Sequence, residues 1–345
     1  MAVQRAIQIQ GPKVATLVAN APIPALRPQY IKVKTVAVAL NPTDWKHIDF
    51  LAREGAINGC DYAGIVEAVG EDVKNGLRIG DRVAGFIHGS NQDNTEDGAF
   101  AEYVMAKSQL SIKIPDSLSF EAASTLGCGI TTVGQGLYQS LNLPWPTTPA
   151  TTPFPVLIYG GATATGTLAI QFAKLSGLTV VATSSPHNFD LLKSYGADHV
   201  FDYNSPTVGA DIREATDDKL QHVFDTIAYD STAAIAAEAI SSKGGKYSSL
   251  LTVKEFPRDD VSNAATLAYT GFGEEFHKGD KNFPAKEDHL AFQDKFWRLV
   301  GELLAQGKIR PHPQEVRDGG LEGVLDGVED LRQGKVSGVK LVYRV

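Results

Sequence analysis

The sequence predicts an α/β protein in which a doubly wound parallel-sheet domain is joined to a smaller antiparallel barrel. Three observations carry the prediction: short β-branched runs punctuated by glycine from Ile31 to about Tyr103, alternating strand and helix patterns after Val156, and a last strand pattern at Gly338–Val345. At 345 residues, 43% hydrophobic and 21% charged, the chain is long enough for about two domains with their own cores. Its 33 glycines, roughly a tenth of the chain, mark turns and close backbone approaches and not low complexity.

The first 14 residues alternate polar and apolar side chains. Ile31–Val38, Gly64–Gly70, Asp81–Gly85 and Phe100–Val104 then have the length and spacing of short barrel strands. Glu121–Tyr138 is rich in Ala, Leu and Thr and predicts a helix. Five prolines between Leu143 and Pro155 remove backbone donors and fix φ, which predicts a loop over 144–155. Val156–Tyr159 is a continuous apolar run, Thr167–Ser176 has helical spacing and stops at Gly177, and Thr179–Thr183 reads as a second buried strand. A helix over His187–Tyr195, strands at His199–Tyr203 and Val223–Ile227, and a helix over Ser231–Ser241 continue the alternation. Such a series implies a parallel sheet with helices on both faces. Asn263–Asp288 has no period and reads as a long functional loop, followed by a helix at Leu290–Gln306 and an amphipathic one at Leu321–Arg332. The expected division is a barrel domain from 1–120 and 289–345, completed by the C-terminus, around a nucleotide-binding domain at 121–288.

Composition removes several function classes. Cys60 and Cys128 are the only cysteines, so there is no disulfide framework and no Cys-x-x-Cys pair for a structural metal, and a reducing cytoplasmic setting is the default. The N-terminus lacks the apolar core of about 7–15 residues of a signal peptide, and no run approaches the ~18 apolar residues of a membrane span. A formal charge of −8 without a Lys/Arg cluster argues against a nucleic-acid partner.

The segment Val156-Leu-Ile-Tyr-Gly-Gly-Ala-Thr-Ala-Thr-Gly166 places a glycine-rich turn between a buried strand and a helix. Amides and the positive helix end there favour a pyrophosphate, and glycine lets the backbone approach it. An NAD site would place a carboxylate for the ribose 2′-hydroxyl about 20 residues on. The chain has Thr183-Ser-Ser-Pro-His-Asn188 instead. Hydroxyls, an amide and His187 without a carboxylate suit a 2′-phosphate of roughly −2 charge. Alternatively, Ser184 or Ser185 caps the helix that runs through Leu192.

Together with Asn41-Pro-Thr-Asp-Trp-Lys46, Gly59-Cys-Asp-Tyr-Ala-Gly-Ile-Val-Glu-Ala-Val-Gly70, Gly80-Asp-Arg-Val83 and Gly98-Ala-Phe-Ala-Glu-Tyr103, in this order, the chain resembles the medium-chain dehydrogenase/reductase superfamily along essentially its whole length. The resemblance implies a GroES-like barrel domain and a Rossmann domain. Zinc alcohol dehydrogenases of that superfamily have a cysteine ligand where Asn41 stands and a His-Glu pair where Cys60-Asp61 stands. One cysteine with one carboxylate does not assemble the roughly three ligands of a catalytic zinc, so no metal is expected and reduction of an activated C=C replaces alcohol oxidation. Within the zinc-independent branch the chain is most similar to fungal trans-acting enoyl reductases, partners of polyketide synthases that lack a working reductase domain. Thr43-Asp-Trp-Lys46, Gly160-Gly-Ala-Thr-Ala-Thr-Gly-Thr167, Ser185-Pro-His-Asn188, Phe201-Asp-Tyr203 and Gly334-Lys-Val-Ser-Gly338 carry that similarity. Quinone reductases tend to have glycines at the positions of Thr163 and Ala164 and a lysine near Asn188.

The resemblance implies NADPH contacts from Thr43, Asp44, Trp45 and Lys46, from Ala162, Thr163, Ala164, Thr165 and Gly166, from Ser185, Pro186, His187 and Asn188, and from Tyr203, Leu250, Leu251, Val336 and Ser337. It implies substrate contacts from Gly127, Cys128, Gly129, Ile130, Thr131, Thr132, Val133 and Gly134, and from Tyr269, Thr270, Gly271, Phe272 and Gly273. The implied partner is a polyketide synthase or its acyl carrier protein, with no nucleic acid and no membrane. The expected reaction sends hydride to the β-carbon of an enoyl thioester, with the enolate protonated at the α-carbon. Lys46 either holds the nicotinamide ribose or assists proton delivery; the opposed reading is a solvated lysine paired with Asp44. Thr131 and Thr132 either hydrogen-bond a carboxamide or carbonyl, with Thr132 taken as catalytic, or cap a helix. Cys128 lines the pocket as a small apolar group, and Tyr62 is either a donor in the vacated zinc region or a packed core side chain. The histidines other than His187 are assigned to structure. Two other functions compete: a free-standing quinone, enone or alkenal reductase, and an NADPH-binding scaffold without catalysis.

Overall fold

The computed structural model describes residues 2–345 and divides into two compact units. The first runs to Thr131 and resumes at Tyr269; the second is Thr132–Ala268. Residues 121–131 and 269–288, expected with the parallel sheet, therefore group with the first unit.

The first unit is built on a seven-stranded sheet ordered Gln314–Arg317, Lys340–Arg344, Tyr30–Ala39, Asp61–Val69, Arg82–Phe86 and Ser111–Lys113, with Tyr103–Lys107 also paired to Tyr30–Ala39. Every pairing is antiparallel except that of Gln314–Arg317 with Lys340–Arg344. The C-terminal strand thus completes the sheet from within, between Gln314–Arg317 and Tyr30–Ala39, pairing Val342 with Ala39. A hairpin of Val3–Gly11 and Val14–Pro22 adds Ile7 and Ile9 to a core shared with Val33, Val38, Tyr62, Phe100 and Leu341. The strand Gln314–Arg317 escapes sequence reading because three of its four residues are exposed, which leaves no alternation to detect.

The second unit holds a six-stranded parallel sheet ordered His199–Asp202, Thr179–Ser184, Pro155–Tyr159, His222–Asp225, Gly245–Ser249 and Val261–Ala265. In chain order this is 3-2-1-4-5-6, the doubly wound dinucleotide-binding arrangement, whose ligands sit beyond the carboxyl ends of the strands. Its first strand is fully apolar because both faces are covered, and Leu157, Val181, Val223 and Tyr247 share one core. The sixth strand runs into the start of the segment read as a loop, which begins at Asn263. Four of its five residues are exposed at the sheet edge, so no hydrophobic period marks it.

The helix expected over Glu121–Tyr138 is three pieces: Phe120–Ser124, Gly127–Val133 and a π-helical Gly134–Ser140. It breaks where Gly127 passes so close to the sheet that a Cβ would stand 2.3 Å from the Gly85 carbonyl and 2.4 Å from Asp61 Oδ1. In the second unit, a Cβ on Gly136 would lie 2.2 Å from the Phe224 ring. Close approaches that only glycine permits override the helical composition. The rest of the expected loop contains a 3₁₀ turn at Ala268–Phe272 and a hairpin of Phe276–Lys278 with Lys281–Phe283.

Candidate active site

The candidate nucleotide cradle of the second unit starts at the end of its first strand. Gly160 adopts φ +75°, and its amide reaches Thr183 Oγ1 at 3.1 Å while the Gly161 amide reaches the Thr183 carbonyl at 2.8 Å. Thr163 caps the helix Ala164–Leu175, its Oγ1 accepting from the Gly166 amide at 2.9 Å. A Cβ at Gly166 would stand 2.4 Å from the Gly160 carbonyl. The turn is thereby drawn tight, with Ala162, Thr163, Ala164 and Thr165 half-exposed. The first amides of that helix have no intrahelical acceptor and its first turn holds no carboxylate, a donor set that fits a pyrophosphate.

Ser185 follows the second strand and makes no side-chain cap bond; its Oγ lies 2.8 Å from the Tyr203 hydroxyl at the end of the neighbouring strand. The capping alternative for Ser185 is set aside by this geometry, and Ser184 turns its hydroxyl to the Ser185 carbonyl instead. Pro186 and His187 are exposed, and Asn188 is buried with Nδ2 3.2 Å from His187 Nε2. Asp202, the last residue of the strand His199–Asp202, accepts from the amide and side chain of Asn204 at 2.9 Å. Leu250 and Leu251 follow the strand Gly245–Ser249, the Leu251 carbonyl accepting from Ser249 Oγ at 2.8 Å. Gly160, Ser185, Tyr203 and Leu250 thus all lie just past carboxyl ends of parallel strands, as a dinucleotide requires. Asp225 is turned inward, accepting from the amides of Ile227 and Ala228 and the hydroxyls of Thr232 and Tyr247.

The chemistry of the first unit gathers around the helix Pro42–Phe50. Proline opens the helix without losing a needed donor, and Asp44 accepts the Asn41 amide at 2.6 Å. Asp44 is buried and does not pair with Lys46. Burial pushes its carboxyl up to about 8 against that hydrogen bond, which favours the charged form. Lys46 is half-buried, its Nζ 5.7 Å from the Trp45 ring, and desolvation lowers its pKa.

A buried polar centre, absent from the sequence reading, stands beside them. The Lys340 ammonium, 4% exposed, donates to Asp61 Oδ2, to Asn41 Oδ1 at 3.0 Å and to the Thr125 carbonyl at 3.2 Å. Asp61 also accepts from Asn41 Nδ2 at 3.0 Å and from the Cys128 amide at 2.5 Å. A lysine side chain therefore sits between Asn41 and Asp61. No group of three His, Cys, Asp or Glu among the described residues is placed to hold a metal.

A second buried set lies against it. Cys60 Sγ is 3.3 Å from the Tyr269 hydroxyl, which is 3.2 Å from Thr43 Oγ1. Burial raises the pKa of the Cys60 thiol, which keeps it protonated and unreactive. His47 Nδ1 lies 2.8 Å from the Thr43 carbonyl and 3.1 Å from Thr43 Oγ1, while Lys278 Nζ is 3.0 Å from His47 Nε2. Burial, aided by the Lys278 charge, depresses His47 to about 3. The Tyr269 ring stacks on His88 at 4.4 Å, and Phe272 packs on Phe86 at 5.1 Å.

Of the remaining expected substrate residues, Cys128 is half-buried, Gly129, Ile130 and Thr131 are buried, and Thr132, Val133 and Gly134 belong to the second unit, also buried. Thr131 is committed inside the first unit, its Oγ1 accepting from Trp297 Nε1 at 3.0 Å and its carbonyl from Gln293 at 3.2 Å. Thr270 Oγ1 lies 2.8 Å from His289 Nδ1, Gly271 is buried, and Gly273 turns the chain at φ +73°. Tyr62 is a core side chain, its hydroxyl 2.9 Å from Ser111 Oγ. Val336 and Ser337 lie in the first unit between its last helix and last strand. The structure thus joins Thr43 to Tyr269 directly, and Cys128 to Asn41 through Asp61. Sequence reading missed His47, His88, Lys278 and Lys340; the one local clue is that Lys340 shares its strand with apolar Leu341, Val342 and Tyr343.

Comparison with known proteins agrees with this architecture. Residues 27–116 match the alcohol dehydrogenase GroES-like domain and residues 164–250 the zinc-binding dehydrogenase family. Trans-enoyl reductase ACTTS2 of Alternaria alternata is 50% identical over the whole of both chains, and trans-enoyl reductase resD of Aspergillus sclerotiorum is 48% identical over 99% of this chain and all of that one. A putative zinc-dependent alcohol dehydrogenase from Rhizobium etli has the same fold at a TM-score of 0.80 and 25% identity, covering 99% and 98% of the two chains. The CurK enoyl reductase superposes at 0.77 with 18% identity over 99% of both chains. Sequence kinship across the full length and a shared two-domain fold place this chain in the trans-enoyl reductase family, an oxidoreductase branch of the medium-chain dehydrogenases that use a nicotinamide cofactor.

Proposed function

We propose that the protein is a zinc-independent, NADPH-dependent enoyl reductase that acts in the cytoplasm on an enoyl thioester carried by a polyketide synthase carrier protein. The observation that carries the reading is the Lys340 ammonium held between Asn41 and Asp61. Fixed positive charge already occupies that place, and a lysine cannot offer the open coordination position that alkoxide chemistry needs. A conjugated C=C, whose charge develops on the thioester oxygen, is the substrate class that suits such a site.

NADPH, when bound, supplies the hydride. The amides of Ala162, Ala164 and Thr165, in the turn that Thr163 and Gly166 draw tight, hold its pyrophosphate, and Ser185, Pro186, His187 and Asn188 with Tyr203 surround its 2′-phosphate. Thr43, Asp44, Trp45, Lys46, Leu250, Leu251, Val336 and Ser337 hold the rest. Lys46 orients the nicotinamide ribose, and Thr132 donates toward the carboxamide or the thioester carbonyl. The segments 127–134 and 269–273 form the walls against the acyl chain. Aromatic Tyr269 and Phe272, half-buried Cys128 and the small Gly271 supply an apolar lining, which holds an acyl chain and keeps water from the enolate.

The test follows NADPH absorbance with an enoyl thioester, a small quinone and no acceptor, each with and without a carrier-protein partner. Thioester turnover above quinone turnover, raised by the carrier, supports the reading. Quinone turnover far above thioester turnover overturns it in favour of a free-standing quinone reductase. Tight NADPH binding without turnover on any acceptor leaves a cofactor-binding scaffold. Equal affinity for NADPH and NADH defeats the assignment of Ser185–Asn188 to the 2′-phosphate.

A further inference from the structure

The hydrogen-bond directions around Tyr269 point to a role beyond lining the pocket. We infer that the Tyr269 hydroxyl is the donor of the α-carbon proton, aimed by an orienting chain of Lys278, His47 and Thr43. The inference rests on the enoyl reductase reading above.

A lysine ammonium has only donors. Lys278 Nζ, 3.0 Å from His47 Nε2, therefore makes that nitrogen an acceptor and leaves the proton on Nδ1. Nδ1–H faces both oxygens of Thr43, the carbonyl at 2.8 Å and Oγ1 at 3.1 Å. With Oγ1 accepting from His47, the Thr43 hydroxyl hydrogen is free to point at the Tyr269 oxygen 3.2 Å away. Tyr269 then accepts from Thr43, and its own proton rests on the opposite side against Cys60 Sγ at 3.3 Å, a weak acceptor that yields it to an enolate. All four residues belong to one unit, and the helix Pro42–Phe50 supplies two of them.

In the reaction, the enolate left by hydride addition takes the Tyr269 proton at its α-carbon. The C–H bond forms, the O–H bond breaks, and the electron pair remains on the phenolate oxygen. The Thr43 hydroxyl and the Lys278 ammonium, 4.3 Å from the ring centroid, stabilise that charge. Water returns one proton as product leaves, which completes the uptake of hydride and proton. Burial keeps the Tyr269 hydroxyl protonated at neutral pH, and it lowers Lys278 to about 8. The titratable groups facing Lys278 are His47, His88, Tyr269 and the Cys60 and Cys128 thiols, none of them carboxylates.

The test uses the full-length enzyme with NADPH and an enoyl thioester of N-acetylcysteamine. Tyr269→Phe keeps the ring stacked on His88, so NADPH affinity stays within threefold while turnover falls on the order of 10²–10⁴, the usual contribution of a proton-transfer group. Product made by this variant in D₂O carries deuterium at both faces of the α-carbon, whereas the wild-type product carries it at one. Lys278→Met, on a half-buried hairpin position, lowers kcat about tenfold with KM unchanged and removes the fall in kcat above about pH 8; Lys278→Arg restores rate. Stereospecific product and turnover within threefold of wild type in Tyr269→Phe would overturn the inference alone. Unaltered pH profiles in Lys278→Met would do the same, and serve if Tyr269→Phe does not fold. A wild type that reduces quinones but no enoyl thioester overturns the reading beneath it.

Discussion

Replacing Lys340 by methionine tests the buried polar centre most directly. The substitution keeps the length of the stem and removes only the ammonium, which is 4% exposed and sits against an Asp61 that is fully buried. Asp61 is then left with two neutral donors, Asn41 Nδ2 at 3.0 Å and the Cys128 amide at 2.5 Å. The carbonyl of Thr125 and Asn41 Oδ1 also lose their donor. Stranding one member of a buried ion pair costs about 3–5 kcal/mol, chiefly through the uncompensated charge. With an unfolding entropy of about 2.1 cal/mol/K per residue over 345 residues, the melting temperature falls by about 4–7 °C. Calorimetry on the single variants and on Asp61→Asn/Lys340→Met completes a double-mutant cycle. The double variant should be more stable than Lys340→Met, because the charge that lacked a partner is gone. A melting temperature within 1 °C of wild type for Lys340→Met, or strictly additive single effects, would refute the account of a buried ion pair.

Two further outcomes follow from the same geometry. Gly166→Ala puts a Cβ 2.4 Å from the Gly160 carbonyl and 2.8 Å from Gly161 Cα, so the turn must open; NADPH binding followed by fluorescence should weaken at least tenfold, on the order of 1.4 kcal/mol or more, and unchanged affinity would count against a phosphate cradle there. Burial holds His47 and His312 near 3 and His222 near 4. These histidines stay neutral in the fold while the unfolded chain binds protons below about 6.5, so stability present at pH 7 is lost as pH falls from about 6.5 toward 3. For the two nearly inaccessible residues, His47 and His312, the loss is on the order of 4 kcal/mol each; the urea midpoint at pH 7, 5 and 4 reads it, His47→Gln should flatten it, and a profile already flat in the wild type would contradict neutral burial.

Much of the architecture is legible in the sequence because its signals are local. A strand, a glycine turn and a helix within Val156–Ser176 are marked by adjacent residues, and the lack of a carboxylate in Thr183–Asn188 can be seen without coordinates. The exposed edge strand Val261–Ala265 and the broken helix after Phe120 are not legible in that way. The first buries too little to impose a period, and the second is interrupted by the close approach of Gly127 to a strand end more than forty residues earlier in the chain.

The same contrast governs the site. By itself the sequence carried the alternation of strand and helix and the glycine turn, and its resemblance to the zinc alcohol dehydrogenases set Asn41 and Cys60 at the positions of their ligands. Only the tertiary structure decided that Lys340 lies between Asn41 and Asp61 and which groups burial tunes. Lys340 meets Asp61 across 279 positions and Lys278 meets His47 across 231, and neither pairing has a sequence period. The physical reason is that charge and proton affinity depend on burial and on distances of about 3 Å. Such distances are set by how strands far apart in the chain come to lie side by side.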